Sequence, residues 1–393
     1  MGNLSSNKNP YRRLKQSFSL KSISSILGKK YPHEKPYVNT GISESYTELT
    51  NEIVGPEIKS SFSPEFQFRS DVCKSDFHFL GKIGKGTFGD VYCCSWQKKS
   101  NILVAVKIQC KEVVASKNAV KQITRETQIH KLLDDCDFIA KYYDCWQTAT
   151  HLFTVMEYVD GGVDLYGLWT ETIHFPESTI RIYTAEIALA LDYLQSKNII
   201  NRDFKMENLA LNYQKHIKLI DFGFAKLLDS DEKATTICGT LQYMAPEVAS
   251  GTPYSFPVDW WCFGVILYIL AEKKYPFPNA NADTHKSLTY DVPVTFETTS
   301  SELAELIKKL LTLDQNARLS SLIQIQKEPF FPSTFDFSAT QNYSIELKET
   351  SNHAYYYVRN VIENKPDPSD FNRLTWHLVE MTLDCLVLFI EYH

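Results

Sequence analysis

The run Ile199-Ile200-Asn201-Arg202-Asp203-Phe204-Lys205-Met206-Glu207-Asn208 sets an acid, an ammonium and an amide two and three residues apart. Behind the apolar run Ile217 to Ile220 stands Asp221-Phe222-Gly223. Upstream, Ile83-Gly84-Lys85-Gly86-Thr87-Phe88-Gly89-Asp90-Val91 spaces its glycines as GxGxxG, and Val104-Ala105-Val106-Lys107 follows, with Glu126 further on. These residue types suit phosphoryl transfer, which asks a protein for positioning and charge neutralisation more than for covalent work. Asp203 can accept a hydroxyl proton, and Lys205 can stabilise the moving phosphoryl group. Asn208 and Asp221 offer oxygen ligands suited to Mg2+. Glycines let backbone approach phosphates where a Cβ would clash, and they bare amide N–H groups. Lys107 within an apolar strand is costly unless its ammonium meets anions. Glu126 can be one of those anions and the phosphates of ATP the other.

Each piece also has an ordinary reading. A single Asp in a loop is more often a turn cap, and a lone lysine is as often a surface residue. GxGxxG also fits a dinucleotide-binding turn, but that version opens a helix, whereas Val91-Tyr92-Cys93 returns as a strand. The ordered set is what removes the ordinary readings.

The elements that must carry these residues follow from periodicity. Apolar runs of strand length, Leu103 to Ile108, Leu152 to Val159 and Ile217 to Ile220, are separated by glycine- and charge-bearing turns. A helix is predicted over residues 117–133 and another over 177–196, where Ile180, Tyr183, Ile187, Leu191 and Leu194 recur behind Pro176. A third, over 302–311, follows a Thr299-x-x-Glu302 capping box. Strands first and helices later predict an α+β chain of two lobes with a cleft between them.

With order, spacing and residue types together, residues 77–331 resemble the eukaryotic protein kinases. The likeness extends to Ala245-Pro246-Glu247, to Asp259 before Trp260-Trp261, and to Arg318, which in that family pairs with the glutamate of Ala-Pro-Glu. The resemblance implies a bilobal kinase fold, with a small antiparallel β-rich lobe carrying one helix and a larger, mainly helical lobe. It implies transfer of the γ-phosphoryl of Mg-ATP to protein hydroxyls, with Asp203 and Lys205 catalytic and Asn208 and Asp221 holding Mg2+. Around the nucleotide it places Ile83 to Val91, Ala105, Lys107 and Glu126, with Met156 as gatekeeper and the backbones of Glu157 and Val159 against adenine. Lys205 and Thr240 resemble the serine/threonine branch. Phe224-Ala225-Lys226, Thr236-Ile237-Cys238-Gly239-Thr240 and Asp259-Trp260-Trp261 look like the AGC group. That likeness makes Thr236 an activation-loop phosphosite for an upstream kinase, its phosphate bound by Arg202 and Lys226.

The departures are Asn201, where the family has His or Tyr packed on the Phe of Asp-Phe-Gly, Phe204 and Met206 for the usual Leu and Pro, and no Phe-x-x-Phe after residue 331. Asn201 is expected to loosen that contact. Glu207 hints at a basic residue upstream of the phosphoacceptor, although Val163 and Gln242 stand where basophilic relatives often carry acids. The alternative function is a pseudokinase or scaffold that keeps the fold and nucleotide binding. Lys107, Glu126, Asp203, Asn208 and Asp221 argue against it.

The 393 residues are 44% hydrophobic and 22% charged, ample for a packed core. A net charge of −6 argues against nucleic acid as the main ligand, and the kinase resemblance implies partners that are proteins bearing Ser/Thr acceptors. The nine cysteines include no CxxC pair, which reads as free thiols in a reducing, cytoplasmic setting. Residues 1–75, rich in Ser, Asn, Lys and Pro, read as a disordered leader whose first 30 residues hold seven Lys or Arg and no acid. Met1-Gly2-Asn3-Leu4-Ser5-Ser6 fits the myristoylation pattern, so Gly2 and the basic leader suggest peripheral contact with the inner face of the plasma membrane. A solvated basic tail is the equal alternative. Residues 332–393 form an extension of unassigned role, with a terminal helix expected around Leu374 to Ile390.

Overall fold

The structure, a computed structural model, describes Phe62, residues 65–133, 135–278 and 284–341, and Tyr343. The acylation motif, most of the basic leader and the terminal helix expected near Leu374 lie outside the described residues.

The first lobe is an antiparallel sheet in the order β1-β2-β3-β5-β4. Its strands are β1 (Phe77–Lys85), β2 (Gly89–Trp96), β3 (Ile102–Cys110), β4 (Tyr142–Gln147) and β5 (His151–Glu157). β-Branched and aromatic residues make this pleated surface: Phe77, Val104, Val106, Trp146 and Val155 close one core, with the Phe77 ring stacked on both Trp96 and Trp146. The glycine-bearing segment is the β1–β2 hairpin, closed by Gly86 N–H donating to Gly89 O (2.7 Å). Gly89 cannot be anything larger, because a Cβ there would lie 1.8 Å from the Ile108 carbonyl oxygen on β3.

The helix predicted over 117–133 forms as α2 (Val120–Lys131), and a second short helix, α1 (Lys111–Ser116), precedes it where the small lobe was expected to carry one. Between them Asn118 takes a φ of 53°, a left-handed conformation that ends a helix and that Asn accepts more readily than most residues. β5 also stops before Val159. The chain turns off at Gly161 and Gly162, where a Cβ on Gly161 would lie 1.9 Å from Leu211 O and Gly162 has a φ of 68°.

The second lobe opens with β6 (Val163–Asp164), α3 (Leu165–Glu171) and α4 (Glu177–Ser196), the last as predicted. Short strands β7 (Ile199–Ile200), β8 (Leu209–Leu211), β9 (Ile217–Leu219) and β10 (Lys226–Leu227) follow, paired β6-β8-β9 and β10-β7. Beyond them come α5 (Pro246–Ala249), α6 (Pro257–Glu272), α7 (Ser301–Leu310), α8 (Leu322–Ile325) and α9 (Phe337–Gln341). α6 is buried on every face from Val258 to Ala271 and forms the centre of this lobe. α7 is capped by Ser300, whose hydroxyl accepts from Leu303 N–H (3.3 Å). The predicted cap, Thr299, instead donates to Glu272 (2.5 Å), a partner too distant in sequence to foresee.

Tyr343, past α9, lies against the His216 ring (4.6 Å between centroids) and donates its hydroxyl to Asp137 O. Among the described residues no helix is long and apolar enough to cross a membrane, and the described cysteines are free thiols.

Candidate active site

β3 and α2 bring together residues that sequence separates widely. Lys107 Nζ donates to Glu126 Oε1. Burial disfavours the Lys107 ammonium, but the charges of Glu126 and Asp221 and the hydrogen bond outweigh it and raise its pKa, so the cation is held. Asp221 is close as well. A Cβ built on Gly223 would lie 3.2 Å from Asp221 Oδ1 and 3.7 Å from Glu126 Oε2, so ammonium and carboxylates share one corner. Gly223 N–H fixes Asp221 through Oδ1 (2.9 Å), and Gln122 on α2 donates to Gly223 O (2.9 Å). Gln122 was not singled out from sequence, although its four-residue spacing from Glu126 puts both on one helix face. Phe222 is buried beneath α2, with its ring 5.0 Å from His130.

The loop after β7 holds a second group. Asp203 Oδ1 accepts from the Thr240 hydroxyl (2.6 Å), and Lys205 Nζ lies 2.8 Å from Asp203 Oδ2 and 2.9 Å from Thr240 Oγ1. Asn208 donates through Nδ2 to Asp203 O (2.9 Å), which orients its amide. Asp259, buried on α6, accepts from Asn201 N–H (2.7 Å) and Arg202 N–H (2.8 Å), bracing the loop while Arg202 takes a φ of 68°. Gly239, with a φ of 99°, lies where a Cβ would be 2.4 Å from Arg202 O, which lets the segment bearing Thr240 close over the loop.

Asn201 is no simple loosening. Its Nδ2 donates to Asp221 O (3.0 Å) and its Oδ1 accepts from Asp203 N–H (3.2 Å), so one amide joins the two acids by hydrogen bonds where packing was expected. Phe222 takes its aromatic contact from His130.

The remaining predicted residues flank this corner. Val91 pairs with Lys107, Ala105 with Met156, and Val104 with Glu157 in register. Ala105 and Met156 are buried, whereas Ile83, Lys85, Gly86 and Thr87 are exposed. Gly84 and Gly86 meet nothing that forbids a Cβ, unlike Gly89, so protein packing explains Gly89 alone. Asp90 pairs with Lys82 (2.7 Å), and Phe88 packs behind the hairpin towards α2. Glu157 N–H donates to Lys141 O (2.8 Å), and its carboxylate holds Lys218 Nζ (3.0 Å), a tie that sequence did not signal. Val159 lies just beyond β5, partly buried.

The model of the protein kinase domain matches residues 77–331. This chain belongs to the protein kinase family. It is 42% identical over 287 residues to a Caenorhabditis elegans protein provisionally named a serine/threonine-protein kinase, covering 72% of this chain and 64% of that one. It is 37% identical over 281 residues to the human ribosomal protein S6 kinase-related protein, covering 70% and 67%, and 34% identical over 314 residues to mouse Sgk1, covering 79% and 70%. The chain thus spans about two thirds of the length of the curated relatives it matches.

Two further features of the kinase domain bear on the site. Arg318 and Glu247 form a buried bidentate pair (2.6 and 3.0 Å), and the guanidinium also donates to Thr312 O and Pro257 O (both 2.9 Å). Thr236 is exposed on the activation loop, its carbonyl accepting from Tyr254 OH (2.5 Å). Its two expected phosphate partners are engaged elsewhere, Lys226 with Glu232 (2.6 Å) and Arg202 with Phe224 O (2.7 Å).

Proposed function

We propose that this kinase transfers the γ-phosphoryl group of Mg-ATP to Ser or Thr hydroxyls of protein substrates. The observation that carries the reading is the convergence of Lys107, Glu126 and Asp221 at one corner, with Asp203, Lys205 and Thr240 bonded together on the neighbouring loop. Lys107, held cationic, meets ATP phosphates. The hairpin Ile83 to Val91 covers them, with Gly84 and Gly86 leaving backbone close to the anion. Asp203 accepts the proton of the substrate hydroxyl as it attacks, and Lys205 stabilises the charge moving with the phosphoryl group.

The residues present fit Mg2+. Asn208 spends its Nδ2 on Asp203 O and keeps Oδ1 as a ligand, and Asp221 supplies carboxylate oxygens. Among the described residues no cluster of three or more His, Cys, Asp or Glu could hold a metal by protein groups alone, as suits a cation bound jointly with substrate phosphates. Held by Asn208 and Asp221, such an ion would supply neutralisation of the charge that develops on the phosphoryl group.

Phosphorylation of Thr236 is the accompanying proposal. A dianion at that exposed hydroxyl competes with Glu232 for Lys226 and draws on Arg202, tying the activation loop to the catalytic loop.

The test is incubation with Mg-ATP and a degenerate Ser/Thr peptide library, comparing the parent with Asp203→Asn and Thr236→Ala. The expected result is phosphate incorporation by the parent, a loss of about a thousandfold in Asp203→Asn, and a slower Thr236→Ala. Equal incorporation by parent and Asp203→Asn would overturn the proposal.

A further inference from the structure

Ahead of β1 the chain crosses α2 and follows the edge of the sheet. Phe62 and Phe66, both 0% exposed, close an apolar cluster with Val114 of α1, Ile123 of α2, Cys145 of β4 and Leu152 of β5. Polar bonds hold the same segment. Gln147 N–H donates to Gln67 O (3.0 Å), and Gln147 Nε2 donates to Phe66 O (2.5 Å). Glu65 O accepts from Lys131 Nζ (3.1 Å) and Cys145 Sγ (3.0 Å), and Gln128 donates to Glu65 Oε1. Phe68 bridges Gln147 in parallel, so the segment covers the edge strand β4. It also encloses Lys111, a fully buried residue whose Nζ donates to Thr148 O (2.6 Å) beneath the rings of Phe62 (5.7 Å) and Phe68 (4.9 Å).

α2 lies between this segment and the active corner. Through Ile123, Gln128 and Lys131 it rests on Phe62, Glu65 and Phe66, and through Gln122 and Glu126 it grips Gly223 and Lys107. A helix of 12 residues owes its placement to tertiary packing, so what seats one side decides where the other points. No Phe-x-x-Phe pair occurs in residues 332–393.

We propose that Phe62 and residues 65–69 are an intramolecular strap in which Phe62 and Phe66 act as positioning residues, seating α2 so that Glu126 reaches Lys107. The groove between α1, α2 and β4 is then an interaction surface whose occupant is this chain's own upstream segment, and release of the strap lowers activity without unfolding the kinase. The effect on rate rests on the phosphotransfer reading; the effect on α2 does not.

The experiment uses the full chain carrying Phe62→Ala and Phe66→Ala together, with amide exchange and kinetics on each protein, with and without a peptide of residues 60–70. Expected are faster exchange across residues 120–131 with β1–β3 still protected, and a fall in kcat of about 10- to 100-fold. Saturating peptide restores both, whereas a peptide with both phenylalanines replaced by alanine restores neither. Leucine at both positions keeps kcat within about threefold of the parent, since it refills most of the volume. Unchanged α2 exchange in the double alanine variant would overturn the strap. So would protection lost throughout the small lobe and not recovered with peptide, because the two rings would then be ordinary core. A parent chain without phosphotransfer would sink the kinase reading while the exchange measurements still decide this one.

Discussion

Asn201 shows how one side chain can alter the wiring of an active site while leaving its members in place. Its amide donates to Asp221 O and accepts from Asp203 N–H, so the loop bearing Asp203 and the loop bearing Asp221 are joined through a residue whose family counterpart is aromatic. Asn201→Ala removes both bonds in a 1% exposed site, at a cost of about 1–3 kcal/mol for the polar groups left unpaired. On the proposed mechanism the expected outcome is a lower thermal midpoint and a kcat reduced about tenfold with KM for ATP little changed, because the lost bonds orient Asp203 and Asp221. Steady-state kinetics beside a thermal melt check this. A variant with full kcat would show that the bonds are incidental.

Elements account for the glycines and for the long-range ion pair. Gly89 and Gly84 look alike in the motif, yet the sheet treats them differently. A Cβ at Gly89 meets Ile108 O at 1.8 Å, whereas one at Gly84 meets only Val91 at 3.6 Å. Gly89→Ala therefore disrupts β2–β3 pairing and gives little folded protein, while Gly84→Ala folds normally and binds ATP more weakly. Yield and circular dichroism report the first, and ATP titration reports the second. Arg318 and Glu247 tie the end of the activation segment to the chain after α7, both nearly out of solvent. Arg318→Met leaves the carboxylate buried without its cation and costs about 3–5 kcal/mol. Urea unfolding should show the midpoint falling accordingly, and an unmoved midpoint would contradict the pairing.

At the scale of the whole molecule, Asp259 ties the loop bearing Asp203 to the central helix of the large lobe. Burial lifts its pKa to about 6 against the two backbone N–H bonds that favour the anion. A folded-state pKa raised above that of the unfolded chain means the native state holds the proton more tightly. Asp259's contribution to stability is therefore full below about pH 4 and is lost as pH rises through about 6. The change amounts to on the order of 3 kcal/mol. In a pH series, the stability of the parent relative to Asp259→Asn should fall by that amount between pH 4 and 7. A difference that stays level with pH would refute this reading of Asp259.

Much of the kinase fold and its site was legible from local signals. GxGxxG returning as a strand, Lys107 in an apolar run, and Asp, Lys and Asn at short steps before Asp221-Phe222-Gly223 each need only neighbouring residues to be read, and together they carried the fold class and marked the candidate site. α4 was legible for the same reason, since burial on one lobe imposes helical periodicity over 20 residues. What depended on distant partners was not legible: the cap at Ser300, the hydrogen-bonding role of Asn201, and above all Phe62 and Phe66. In sequence those two phenylalanines sit in a Ser- and Pro-bearing leader with no periodicity to mark them. Only the folded small lobe, by leaving an apolar groove beside α2 and a buried ammonium at Lys111, makes their burial favourable. Sequence determined which chemical groups this protein possesses; tertiary structure decided which of them meet, because contacts between far-apart residues are selected by packing and leave no local trace.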